Sequence, residues 1–171
     1  METLVDSLTE TQRESLRREF GSIEPTGWVI EIAHEKDWSA ANTAFLLHER
    51  DRGRAEMGHL MAALGVAPPV SPAQAADLVT AALVLFIGPE QTSDTIQRLG
   101  PNAVRVRVCD CPTYRRLQAT KWLGITACGT WHRRRGWYDA LALYPADSVI
   151  AESKWGDEAC EALIEFAQGA A

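Results

Sequence analysis

The apolar period of this 171-residue chain changes sharply at about Ile87, and that change limits what it can fold into. Up to about Ile87 the apolar residues recur at helical intervals. Past Gly88 and Pro89 the stretch "DTIQRLGPNAVRVRVCD" reads as two β segments around the turn Gly100, Pro101, Asn102. In the second segment Val104, Val106 and Val108 share one face, while Arg105, Arg107 and Cys109 share the other. A strict two-residue alternation is useless to a helix, so the second half must build a sheet for the helical first half to cover.

Local signals place the helices. Thr9 and Gln12 stand at capping-box spacing ahead of a helix from about Thr9 to Phe20. The stretch from Gly27 to Leu64 is too long for one ordinary helix. A joint at Asp37 to Ser39 divides it into Gly27 to Lys36 and Ser39 to Leu64, the second stopped by Gly65, Pro68 and Pro69. Ser71 followed by Pro72 is an N-cap with proline at the first helical position, opening a buried helix to about Ile87. Two more helices are expected at Thr113 to Trp122 and Gly129 to Leu143. A second hairpin then turns at Trp155 to Glu158, with Cys160, Ala162, Ile164 and Phe166 facing a packed layer. The expected fold is α+β, a helical N-terminal half packed on a mainly antiparallel sheet of about four strands with inserted helices. It forms a single domain over 1–171, with residues 1–90 helical and 91–171 carrying the sheet and a cysteine site.

Composition narrows the function classes. A net charge of −6 gives no basic footprint for a phosphate backbone, so nucleic acid is not an expected partner. The runs Arg115, Arg116 and Arg133 to Arg135 read as solvated helix faces, with an anion site as the alternative. The longest apolar run, Ala81 to Ile87, is too short to span a bilayer, and the first residues have no apolar leader, so the expectation is a cytoplasmic protein without a membrane partner. In that compartment four cysteines are free thiols, ligands or catalytic groups rather than disulfides.

Three constellations bear on chemistry. Cys109, Cys111, Cys128 and His132 have the spacing C-x-C-x16-C-x3-H, open to three readings: structural zinc, core packing, or a reactive thiol. Cys111 precedes an expected helix that carries Arg115 and Arg116, which makes it the candidate nucleophile, with His132 the nearest base. The pairs Glu31 and His34, Glu56 and His59 have the Glu-x-x-His spacing of a di-iron bundle, which Glu14 or Glu19 and Asp77 would have to complete. The stripe His48, Arg52, Glu56, His59 either faces water or lines a pocket.

A Cys-Pro with Tyr leaves the strand (Cys111, Pro112, Tyr114), and a second cysteine follows one helix later (Cys128). Tyr144 and Pro145 precede a strand, and a terminal hairpin carries Gly156, Asp157 and Cys160. In these features, over about Val104 to Phe166, the chain resembles the L-2-amino-thiazoline-4-carboxylic acid hydrolase-like family. The resemblance implies a small-molecule enzyme that opens a cyclic C=N by hydrolysis, or runs the reverse cyclisation, without a metal or other cofactor. Cys111, Cys128 and Cys160 match the family's cysteines, whereas Trp131 and His132 stand where an acidic residue is usual. On that basis Cys111 adds to the electrophilic carbon, His132 moves protons, and Arg105, Arg107, Arg115 and Asp157 hold the substrate. The other function class is a non-catalytic small-molecule-binding or sensor module whose cysteines are structural or zinc-bound.

Overall fold

A computed structural model of the chain describes residues 3–20, 26–68, 70–87, 96–109, 118–119, 128–152 and 158–167. After a 3-10 turn, Leu4–Ser7, come α1 (Glu10–Phe20), α2 (Thr26–Glu35), α3 (Trp38–Leu64) and α4 (Pro72–Ala82), which passes into a π-helical turn at Leu83–Ile87. Strands β1 (Ile96–Arg98) and β2 (Ala103–Val108) precede α5 (Thr130–Leu141), and β3 (Ala146–Ala151) and β4 (Cys160–Glu165) follow it. The fold is α+β with a helical N-terminal half. Of the helix expected at Thr113 to Trp122, only Gln118 and Ala119 are described, and both are helical.

The helix boundaries have the physical causes read from the sequence. Thr9 and Gln12 exchange hydrogen bonds at the start of α1, and Ser71 and Gln74 do the same at α4. Asp37 caps α3 through the Ala40 amide at 2.7 Å, and Gly65 ends it in the left-handed conformation at φ 66°. α4 is as buried as its composition implies: Ala75, Ala76, Leu78, Val79, Ala81 and Ala82 are all inside. The helix expected to reach Ile87 loses its α form after Ala82 and widens into the π turn.

All four strands pair antiparallel in the order β1, β2, β4, β3. The register sets Val104 opposite Ile164, Val106 opposite Ala162 and Val108 opposite Cys160, so these residues face the helices together. Val104, Ile164 and Phe166 are completely buried there with Leu78, Val79, Leu83 and Leu141. The other face of the sheet carries Arg105, Arg107 and Glu161, with Arg105 Nε donating to Glu161 at 2.8 Å.

Helices α3 and α5 approach each other backbone to backbone. A Cβ at Gly53 would stand 1.9 Å from the Arg133 carbonyl oxygen, and one at Gly136 would stand 2.0 Å from the Arg50 carbonyl oxygen. Both obstacles are backbone, which no rotamer change can move. Between the two helices lies Glu56, fully buried. Its carboxylate accepts from Arg133 Nε at 2.8 Å, from Trp137 Nε1 at 2.9 Å, from Arg52 Nε at 3.2 Å, and again from Arg133 through Nη2. Arg52 also donates to the Phe20 carbonyl and Arg133 to that of Phe86, so the same pair of guanidinium groups ties down the ends of α1 and the π turn. Arg134 makes a two-pronged pair with Asp147 of β3 at 2.9 Å, to which Tyr138 adds a hydrogen bond at 2.6 Å.

This geometry corrects two expectations. The run Arg133 to Arg135 is not a solvated face: Arg133 and Arg134 point inward to carboxylates, and Arg135 alone of the three is exposed. The stripe His48, Arg52, Glu56, His59 is divided: Arg52 and Glu56 fill the helix interface, whereas His59 is exposed at the surface.

Gly136→Ala is expected to cost about 3 kcal/mol or more, since the helices must separate to admit a methyl group. Gly58→Ala, where nothing lies within 4 Å, is expected to be neutral or to stabilise by up to about 1 kcal/mol through helix propensity. Urea unfolding midpoints of the two variants check this contrast.

Candidate functional site at the start of α5

Of the expected site residues, Arg105, Arg107, Cys128, His132 and Cys160 are described, whereas Cys111, Arg115 and Asp157 lie outside the described residues. Cys128 lies just before the start of α5 and His132 on its first turn. Gly129 occupies the N-cap and offers no side-chain acceptor to the first-turn amides. It sits so tightly on α3 that a Cβ would meet Glu49 Cγ at 2.6 Å and Phe45 Cζ at 2.9 Å. Cys128 precedes the cap and is half-buried; His132 is the third helical residue, the position from which a side chain reaches back towards the cap.

The surroundings of His132 are electropositive. Burial, then the charges of Arg135 and Arg50, hold its imidazole below the usual histidine pKa, so it is a neutral proton acceptor at pH 7. Arg50 is fixed by two bonds to Asp139, at 2.7 and 2.8 Å, and Asp139 also accepts from Arg54 at 2.9 Å and Tyr144 at 2.7 Å. Those hydrogen bonds, from Arg50 first, hold the Asp139 carboxyl well below the ordinary carboxylate range. Arg135 and Arg134 lie over the Trp131 ring at 5.6 and 5.3 Å, which gives the helix start an aromatic wall with a cation on it.

Cys160 faces the helical layer from the rim of the sheet, opposite Val108. Arg105 and Arg107 project from the other side of the sheet and share Glu161 there. Strand alternation therefore sets Arg105 and Arg107 on the opposite face of the sheet from Cys160. Cys109 is exposed on the arginine side.

The described residues contain no group of three or more histidine, cysteine or acidic side chains placed to hold a metal ion. In the di-iron set, Glu56 is consumed by Arg52, Arg133 and Trp137, and His59 pairs with Glu19 at 3.0 Å on the surface. Among the described residues no helix is long and apolar enough to cross a membrane.

Arg50, Arg135 and Glu56 belong to the surroundings of this site without having been singled out for it by spacing. A signal was nonetheless present: Gly53 and Gly136 stand inside helices, where each costs about 1 kcal/mol relative to alanine, so each marks a packing demand. Comparison of the chain with family models, with curated proteins and with solved structures gives no match.

The His132 imidazole is expected to titrate below 6.5, and Arg135→Gln to move it upward by removing a repelling charge. Because the folded value is depressed, the unfolded chain takes up this proton first, so folding loses stability as pH falls from about 6.5 through the folded value. NMR titration of the imidazole carbons in the two proteins checks both directions.

Proposed function

We propose that the chain is a small-molecule enzyme of the thiazoline-hydrolase type, acting at a C=N or acyl carbon of an amino-acid-derived heterocycle, by hydrolysis or by the reverse cyclisation. The observation that carries this reading is the placement of a half-buried thiol, Cys128, immediately before the glycine-capped start of α5, with a neutral imidazole, His132, on its first turn. The resemblance of the C-terminal half to thiazoline hydrolases supplies the substrate class.

In the hydrolytic direction His132 takes the proton of the Cys128 thiol and the sulfur adds to the C=N carbon. The proton passes to the ring nitrogen as the π pair moves onto it. The ring C–N bond then breaks as the lone pair of the exocyclic nitrogen forms a new C=N, whose displaced proton passes through the imidazole to the departing ring nitrogen. A water, deprotonated by the same imidazole, adds to that carbon while the C=N nitrogen takes the proton, and re-formation of C=O expels the enzyme sulfur as thiol, for the net addition of one water. First-turn amides of α5 suit the charge that develops, and Arg135 on the Trp131 face suits a substrate carboxylate. Cys111, first choice for the nucleophile on sequence grounds, is the competing thiol. A second reading, a binding module with structural cysteines, draws support from Cys160, which lies in register with Val108 beside the packed face.

Hydrolysis of 2-amino-thiazoline-4-carboxylate, followed by NMR, tests the proposal. The wild-type chain should turn it over, and Cys128→Ala and His132→Gln should each slow it by about 100-fold or more. Loss in Cys111→Ala with Cys128→Ala unaffected would transfer the nucleophile to Cys111. No turnover, together with no cysteine that alkylates faster than a free thiol, would leave the binding module.

A further inference from the structure

We propose that Glu56 is the positioning residue of the α5 site, setting the rotation of α5 about its own axis and hence the direction in which Cys128 and His132 are presented. The inference rests on the site reading above and adds to it a residue on a different helix.

The argument starts from what glycine contacts can and cannot do. Gly53, Gly129 and Gly136 bring α3 and α5 together backbone to backbone, or backbone to side chain, and so fix how far apart the helices lie. A surface without side chains is smooth, however. Ordinary helix pairs are locked in register because ridges of side chains enter grooves, and here the ridge is missing where the helices touch most closely. Register at such a crossing has to come from directional contacts.

Glu56 supplies them. Arg133 and Trp137 are four residues apart, on one stripe of α5, and both donate to this single carboxylate: Arg133 Nε and Trp137 Nε1 to Oε2, at 2.8 and 2.9 Å, and Arg133 Nη2 to Oε1. Hydrogen bonds of this type weaken steeply with angle, so turning α5 in either direction breaks them. Burial makes the break costly, because Glu56 and Trp137 are both completely inside and water cannot replace a lost donor. Arg52, held to Glu56 at 3.2 Å and close to Glu49 at 3.7 Å, leaves two acids and two guanidinium groups in the cluster, with no net charge for a ligand to answer. The cluster is thus an aligning device rather than an anion site. His132 directly precedes Arg133, so its side chain emerges about 100° around the helix from the Arg133 position. An error in rotation at Glu56 is passed directly to the imidazole.

The other polar ties on α5 lie further from the site. Asp139 is a second directional tie to α3, through Arg50 and Arg54, but it sits near the end of α5 remote from Cys128, whereas Glu56 grips Arg133, the residue next to His132. Arg134 holds α5 to strand β3, whose residues Val149 and Ile150 are exposed, rather than to the α3 crossing.

Glu56→Gln keeps the side-chain length but sets an amide N–H₂ against donors. Trp137→Phe removes one donor only and serves where the first variant folds poorly. Leu141→Ala is the control, a buried residue of α5 that weakens the same helix without touching Glu56. Under conditions where each is folded, Glu56→Gln and Trp137→Phe should shift the His132 titration by more than about 0.3 unit. They should also change the rate of Cys128 alkylation by iodoacetamide by more than about threefold, and Leu141→Ala should do neither. With a turned-over substrate, kcat should fall by about tenfold to a hundredfold while KM stays within about twofold. If both variants lose stability while the titration and the alkylation rate stay at wild-type values, Glu56 is structural only and the proposal is wrong. If the wild-type chain turns over no substrate, the enzymatic reading fails by itself, and the titration and alkylation still decide the role of Glu56.

Discussion

The close crossing of α3 and α5 is the constraint on which the rest of the molecule depends. Two backbones meet where Gly53 faces the Arg133 carbonyl and Gly136 faces the Arg50 carbonyl, and the space that remains beside them admits one carboxylate, Glu56. A lone buried carboxylate would be strongly unfavourable. With Arg133, Arg52 and Trp137 all donating, the desolvation is offset, and the guanidinium groups have bonds to spare for the Phe20 and Phe86 carbonyls. One interface therefore holds α1, the π turn after α4, and α5 in fixed relation. The sheet attaches to the helices through apolar packing of Val104, Ile164 and Phe166 and through the ion pairs Arg134 with Asp147 and Arg98 with Asp77.

The chemistry suggested for the start of α5 follows from the same crossing. Gly129 lets the helix begin directly on Phe45 and Glu49, and Arg50, one residue further on α3, is close enough to oppose protonation of His132. A histidine on a solvated helix would titrate near its free value. Here partial burial and two fixed cations keep it neutral, which is the state a proton acceptor needs at pH 7.

How far the sequence alone could be read depended on the range of the physics involved. Caps and breaks are local, so Thr9 with Gln12, Asp37, Gly65 and Ser71 with Pro72 could be assigned from neighbours within four residues, and each acts as expected. The alternation from Val104 to Val108 is also local, and the structure buries the valine face. Two of the partners of Glu56, Arg133 and Trp137, are in contrast 77 and 81 residues away, and no spacing rule connects them to it. Charge type misled in the same way: Arg133 and Arg134 look like a solvated run because their carboxylates, Glu56 and Asp147, come from other elements. For Arg105 and Arg107 the alternation was legible, but its consequence for Cys160 required the β2 to β4 register, a long-range fact.

The strand order carries a consequence for the sequence of events in folding. β2 lies between β1 and β4, and β3 pairs with β4 alone, so every ladder of the sheet except β1 with β2 waits for residues 160–165. During synthesis the valine face of β2 is made more than fifty residues before the strand that completes it, and the apolar tip of β3 emerges with no earlier strand to receive it. The helices, whose close crossing is available once α5 exists, can form first and offer the valines a surface in the interval. In this chain the helical layer acts as a template on which the sheet is finished, with β4 as the closing piece.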